Sequence, residues 1–283
     1  AEAVNVSKGA DYVIFVGGLN KAPHQDCEDA DREGLGLPYG QDRLIEEIAK
    51  INKNLVVVNI SGNAVAMPWI KNVPTVVQGW FIGSEAGNAI ADVLTGDVNP
   101  SGKLPFTFPA RLEDVGAHAK GEYPGNKDAL AASKEWGDTI PEYYSEDIFV
   151  GYRWADKEKT APLFPFGHGL SYTTFEYSKP TADKKAITTD DTITFSVNVR
   201  NIGDKEGQEI IQLYIADKAS GLPRPVKELK GFSKVKLAPG EEKPVSITIG
   251  KDALSYFDDQ KHEWVAEPGK FEAIIGASSR DIK

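Results

Sequence analysis

Hydrophobic positions along this chain follow two different periods. Up to about residue 108, short continuous apolar runs alternate with stretches of helical spacing. Val13-Ile14-Phe15-Val16 closes on Gly17-Gly18 and predicts a strand over 12–16, buried on both faces of a parallel sheet. Leu44, Ile45, Ile48 and Ile51 mark one helical face over 41–52. Leu55-Val56-Val57-Val58-Asn59 predicts a second buried strand, and residues 74–78 a third, ending at Gly79-Trp80. Residues 84–94 predict a helix with Ala86, Ala89, Ile90 and Val93 inward. Strands alternating with helices imply a mostly parallel α/β sheet. Residues 1–8, with Ala3, Val4 and Val6 apolar, read as the last turns of an amphipathic helix feeding the first strand, so the chain is expected to be the carboxyl-terminal piece of something longer.

After a turn-rich stop at 97–103 the pattern changes. Residues 109–141 are irregular and rich in Gly, Pro, Ala and charge; a loop of that length is expected to be functional or to pack as an arm. Residues 143–175 carry Tyr152, Trp154, Phe164, Phe166, Tyr172 and Phe175, the composition of a packing segment between domains. Beyond 180 the period becomes two. Residues 192–199 alternate strictly, and 209–215, 243–249 and 270–275 behave alike, punctuated by Gly203, Gly221, Gly240 and Gly269. Short strands with turn signals over about a hundred residues read as a β-sandwich of immunoglobulin or fibronectin type. The expected division is 1–108, an α/β domain; 109–179, an arm and aromatic connector; and 180–283, the sandwich.

Composition narrows the partners. The chain has 283 residues, 41% hydrophobic, enough for more than one core. A net charge of −10 argues against nucleic acid or an anionic membrane as the main partner, since both need a basic face. No apolar run approaches the ~20 residues of a membrane span. The single cysteine, Cys27, can form neither an intramolecular disulfide nor a cysteine-based zinc site by itself. No His and carboxylate spacing suggests a metal, and no cofactor is implied. Gly79, Gly83 and Gly87 lack the ribose-binding acid of a dinucleotide fingerprint. A serine hydrolase is disfavoured because no Gly-x-Ser-x-Gly elbow occurs.

The candidate chemistry sits in the loop after the first strand. Asp26, Glu28, Asp29 and Asp31 fall within seven residues that end on Arg32, before the first long helix. Loops at the carboxyl ends of parallel strands are where α/β sheets place their sites. A carboxyl group there can act as a general acid, and an arginine can orient it.

Several longer motifs resemble one family. The run from Trp80-Phe81-Ile82-Gly83-Ser84-Glu85 through Thr95-Gly96-Asp97-Val98-Asn99-Pro100-Ser101-Gly102-Lys103-Leu104-Pro105 is similar to the sandwich-domain signature of glycoside hydrolase family 3. So are Ile148-Phe149-Val150-Gly151-Tyr152-Arg153 and the run from Phe164-Pro165-Phe166-Gly167-His168-Gly169 to Phe175. Gln212-Leu213-Tyr214, Arg224-Pro225 and Leu229-Lys230-Gly231-Phe232 resemble that family's fibronectin-type domain. The resemblance covers essentially the whole chain and is nearest the β-glucosidase and β-xylosidase branches. It implies part of an (α/β)6 sandwich domain followed by a fibronectin type III-like domain. A (β/α)8 barrel carrying an aspartate nucleophile is absent from this chain and becomes its missing partner.

The resemblance also assigns roles. The acid/base of these branches is the glutamate of an E-x-x-D-R motif, which Glu28, Asp29, Ala30, Asp31 and Arg32 match. Glu28 is therefore the expected catalytic residue and Asp26 the alternative, with Asp31 and Arg32 expected to form an ion pair that fixes the loop. The family often has glycine where Asp29 stands, so here a second negative charge lies beside Glu28. His168 is expected to be structural, His24 and His118 are open, Trp80 is expected in the core, and Trp136 is left open as a sugar platform. The implied activity is a retaining, exo-acting β-glucosidase acting on β-linked oligosaccharides or aryl glycosides. A β-xylosidase is the alternative, and a non-catalytic carbohydrate-associated module the alternative of another class. This chain alone is expected to be inactive. A homo-oligomer is compatible with the sequence, and family analogy favours the periplasm or the exterior of the cell.

Overall fold

The computed structural model describes residues 1–28, 30–123, 125, 139 and 141–283; Asp29 and Trp136 lie outside the described residues. The chain divides into two compact units, one of residues 1–97 with 108–113 and one of 98–107 with 114–283.

The first unit is built on a parallel sheet of β1 (Val13–Gly18), β2 (Leu55–Ile60) and β3 (Thr75–Gln78), in that order. Helix α1 (Glu2–Ser7) packs on α2 (Gln41–Ile51), which lies on β1 and β2 and buries Ile45, Ile48 and Ala49. Strand β2 is the central strand, and Leu55, Val57 and Val58 are buried in it. The sequence reading expected β1 to be covered on both faces; within this chain it is not. Ile14 and Val16 are 53% and 61% exposed, whereas Val13 and Phe15 are half-buried. Among the described residues β1 pairs with β2 alone, and no described layer covers the face that carries Ile14 and Val16. Helix α3 (Ala86–Thr95) is likewise shallow: Ala86, Ile90 and Val93 are half-buried, and Ala89 is exposed rather than inward.

In the second unit come α4 (Gly116–Ala119), α5 (Tyr152–Lys157) and an antiparallel sandwich. One sheet joins β4 (Phe175–Tyr177), β5 (Thr181–Ala182), β6 (Ile193–Asn201) and, paired with β6, β9 (Glu242–Ile249). The other joins β7 (Gly207–Asp217), β8 (Glu228–Leu237) and β12 (Phe271–Gly276), with β7 central. Helix α6 (Lys251–Leu254) and a hairpin of β10 (Tyr256–Asp258) and β11 (Glu263–Val265) follow β9. Val197, Val199, Ile211, Leu213, Val245 and Ile247 from the facing strands form the core.

Strand β7 is buried on both faces, although its sequence reads as half-buried. Ile211, Leu213 and Ile215 point into the sandwich core. Tyr214, also fully buried, meets the aromatic segment: Tyr152 lies edge-on to it at 5.9 Å and stacks on Phe166 at 5.1 Å. The Tyr152 hydroxyl accepts the Leu229 N–H at 2.9 Å, and Gln212 Nε2 donates to the Ala277 carbonyl at 3.0 Å. Burial pushes the Tyr214 phenol well above its ordinary pKa.

The motifs 99–105 and 164–175 also have structural work in this unit. Asn99 Oδ1 accepts Ser171 Oγ at 2.9 Å and the Tyr172 N–H at 2.8 Å. Lys103 pairs with Glu209 at 3.1 Å, both side chains nearly buried. His168 stacks on Phe164 at 5.2 Å, and burial, helped by the Lys103 charge and opposed by Asp281, lowers its pKa. Because the folded state holds this proton less tightly, the unfolded chain binds more protons just below the ordinary histidine pKa. The His168 contribution is present above about pH 6.5 and lost as pH falls through that value toward the lowered folded pKa. Melting temperatures from pH 7.5 to 5 are expected to fall in this window, and His168→Phe, which keeps a ring on Phe164, is expected to flatten that part of the curve.

Candidate functional site

Strand β1 ends at Gly18 and α2 begins at Gln41, and these two residues clamp the base of the intervening loop. The Gln41 amide donates from Nε2 to the Gly18 carbonyl and accepts the Gly18 N–H at Oε1, both at 2.8 Å. Gly18 has φ 140°, and a Cβ there would lie 1.9 Å from the Ile60 carbonyl oxygen, so only glycine fits. Gly18→Ala is expected to destabilise the first unit by about 3 kcal/mol or more through strain and backbone collision, read as a lower urea midpoint. At the far end of the loop, Asp42 accepts the Leu37 N–H at 2.9 Å and Nε1 of the fully buried Trp69 at 2.8 Å. In the middle, the buried Gln25 amide accepts the Asn20 N–H at 3.1 Å and donates to Tyr39 Oη at 2.7 Å. Donation from Asn20 and Gln25 to that oxygen lowers the Tyr39 pKa.

Within this frame the candidate carboxylates occupy different situations. Asp26 is half-buried and committed: one oxygen accepts the Gly62 N–H at 2.6 Å and the other Asn63 Nδ2 at 3.3 Å. It ties the loop to the segment leaving β2. A Cβ on Gly62 would stand 3.1 Å from the Phe81 ring and 3.3 Å from Asp26, so a larger residue would loosen that tie. Glu28 is exposed and, among the described residues, has no hydrogen-bond or ion-pair partner. Asp31 is exposed, and its carbonyl lies 3.1 Å from His24 Nδ1.

Arg32 is anchored differently from the sequence expectation of an ion pair with Asp31. Its Nη1 donates to the Ala64 carbonyl at 2.8 Å, and Asp26 is the carboxylate whose charge acts on it. Burial pushes the guanidinium below its ordinary pKa, with Asp26 opposing. Arg32 Nη2 is buried with no acceptor among the described residues, leaving one strong donor uncommitted. Arg32 also lines a cavity of about 350 Å³ with Leu19, His24, Gln25, Glu33 and Leu37.

A polar cluster at the carboxyl ends of β2 and β3 completes the site. Asn59 Nδ2 donates to Ser61 Oγ at 2.9 Å and to Gln78 Oε1 at 2.6 Å. Ser61 Oγ in turn donates to the carbonyl of Asn63 at 2.8 Å, the residue whose side chain holds Asp26. Sequence reasoning missed this cluster. Its signal was there, since Asn59 and Gln78 are the polar residues that close two apolar strands. Among the described residues no group of His, Cys, Asp and Glu could hold a metal ion.

The profile of the glycosyl hydrolase family 3 C-terminal domain matches residues 1–172. The chain belongs to glycosyl hydrolase family 3. A fibronectin type III-like domain matches residues 209–279. This family 3 chain is 55% identical to a β-glucosidase of Bacteroides ovatus, over all of its own length and 36% of that protein. It is 44% identical to thermostable β-glucosidase B of Acetivibrio thermocellus, covering 99% of this chain and 35% of the relative. Among solved structures, a β-glucosidase of Streptomyces venezuelae in complex with D-glucose superposes with a TM-score of 0.89 at 37% identity, covering all of this chain and 34% of that one. The family 3 chain thus spans about a third of the length of the curated relatives it matches.

Other residues weighed in the sequence have packing roles. Trp80, half-buried, lies edge-on to the buried Phe108 at 6.0 Å. His118 meets Tyr123 edge-on at 5.2 Å. Cys27 is a free thiol whose sulfur lies 3.6 Å from the Ala30 carbonyl.

Proposed function

We propose that the enzyme containing this chain is a retaining, exo-acting β-glucosidase and that Glu28 is its acid/base. The observation that carries the reading is the division of labour in one loop. Asp26 is held by two hydrogen bonds, whereas Glu28 is exposed and, among the described residues, uncommitted, on the loop that also carries an Arg32 donor with no acceptor among them. A proton-transferring carboxyl group must reach its substrate, and one already bound to backbone does so poorly. The family's β-glucosidase relatives support the sugar.

Retention requires a second carboxylate about 5–5.5 Å from the first. That nucleophile is assigned to an aspartate of a (β/α)8 barrel outside this chain. In the first step the aspartate bonds to the anomeric carbon, the bond to the leaving oxygen breaks, and Glu28 gives that oxygen its proton. In the second, the Glu28 carboxylate takes a proton from water as the water oxygen bonds to the same carbon and the aspartate departs. Arg32 Nη2 is placed to donate to a substrate oxygen. No cofactor enters either step.

The test uses p-nitrophenyl β-glucoside and β-xyloside with the barrel-containing parent and with this chain alone. Expected are a higher kcat/KM for the glucoside with the parent, and no turnover by the chain. A preference for the xyloside moves the assignment to a β-xylosidase. Activity on neither supports a non-catalytic carbohydrate-associated module, and turnover by the chain alone would place the nucleophile within this chain rather than in a barrel.

A further inference from the structure

The β-sandwich does not close evenly. Along β6, Val197 and Val199 are buried, yet Ile193 and Phe195, on the same face, are only half-buried. At that end lies a cavity of about 660 Å³, a size usual for small-molecule sites. Its floor is apolar, formed by Ile193, Phe195, Ile215, Ile249, Leu254 and Phe271.

The lining is strongly asymmetric in charge for a chain of net charge −10. Lys184, Lys185, Lys251 and Lys270 line it, with Glu267 as the only acid among the lining residues. Glu267 is already engaged, accepting the Gly221 N–H at 2.9 Å and the Tyr256 hydroxyl at 3.0 Å. Lys184 faces Asp191 at 3.4 Å. Lys185, Lys251 and Lys270 have no ion-pair partner among the described residues, and all three are exposed. Three unpaired ammonium groups beside an apolar floor select an anion that also has an apolar body. A neutral sugar would find few hydroxyl partners on this floor, and an inorganic anion would leave it empty.

We propose that this end of the sandwich binds an amphiphilic carboxylate, its apolar body on the Ile193–Phe271 floor and its charge met by Lys185, Lys251 and Lys270. The site lies wholly within the second unit and stands apart from the glycosidase reading. A fatty acyl chain and a phenolic acid share this chemistry, so both are probed.

The experiment is calorimetric titration of the full chain with sodium dodecanoate, below its micelle concentration, and with 4-hydroxycinnamate. Butyrate and dodecyl maltoside serve as controls for apolar body and for charge. Saturable binding of one carboxylate is expected, at one site per chain. Butyrate should bind at least about tenfold more weakly, because each buried CH₂ contributes about 0.8 kcal/mol. Binding should weaken with salt, since the lysines are exposed. Lys185→Glu/Lys270→Glu is expected to reduce affinity about tenfold or more. Ala273→Trp, on an exposed lining residue, is expected to block the site, with thermal melts confirming that both variants fold. Which carboxylate saturates identifies the source. Failure of both to saturate, equal binding of dodecyl maltoside, or binding untouched by both variants would overturn the proposal.

Discussion

Replacing Glu28 with Gln in the barrel-containing enzyme is expected to lower turnover of p-nitrophenyl β-glucoside by about 10²–10⁴-fold, the usual contribution of a positioned acid/base. Glutamine keeps the shape but can neither give a proton to the leaving oxygen nor take one from water. p-Nitrophenolate needs little protonation to depart, so hydrolysis of the glycosyl-enzyme should become the slow step. Azide needs no general base; it should restore rate and yield a glucosyl azide. Asp26→Asn provides the contrast. It weakens the tie to Gly62 and removes the charge that acts on Arg32, so it is expected to impair activity through loop position, without rescue by azide. If Glu28→Gln leaves the rate unchanged while Asp26→Asn is rescued, the acid/base is Asp26.

Glu228→Ala is expected to cost about 3–5 kcal/mol of stability, the range for removing one partner from a buried charge cluster. Glu228 meets Arg224 at 2.6 Å, Arg153 at 3.2 Å and Lys230 at 3.6 Å. The Arg224 side chain is only 8% exposed, so losing Glu228 leaves it with Asp217, at 3.8 Å, as its remaining carboxylate. Burial alone would raise the Glu228 pKa, but the hydrogen bond from Arg224 and the charges of Lys230, Arg224 and Arg153 outweigh it and hold it below the usual value. The wild-type advantage should therefore be complete above about pH 4.3 and shrink as pH falls below that toward the lowered folded pKa. Urea titrations of both proteins at pH 7 and pH 3.5 measure it. A difference under about 1 kcal/mol at pH 7 would mean that solvent screens the cluster.

The same cluster shows where sequence reading stops. Arg224-Pro225 and Leu229-Lys230 were recognisable as a pattern, but β8, which carries Glu228 and Lys230, alternates too weakly to be read as a strand. Its Glu228 also meets Arg153, which arrives from α5, far back in the chain.

The sequence by itself determined the change of period from parallel α/β to antiparallel sandwich, the cores of β2 and β6, and the family. Apolar spacing is local, and local spacing is what selects helix or strand. It also placed the acidic loop at the carboxyl end of β1. Tertiary structure alone decided that β7 is covered on both faces. Burial depends on which layers lie against a strand, and no window of sequence contains them. The same holds in the loop. Asp26 and Glu28 differ by two positions and are alike in chemistry; the backbone N–H of Gly62, brought across from the end of β2, holds one, and the other has no partner among the described residues.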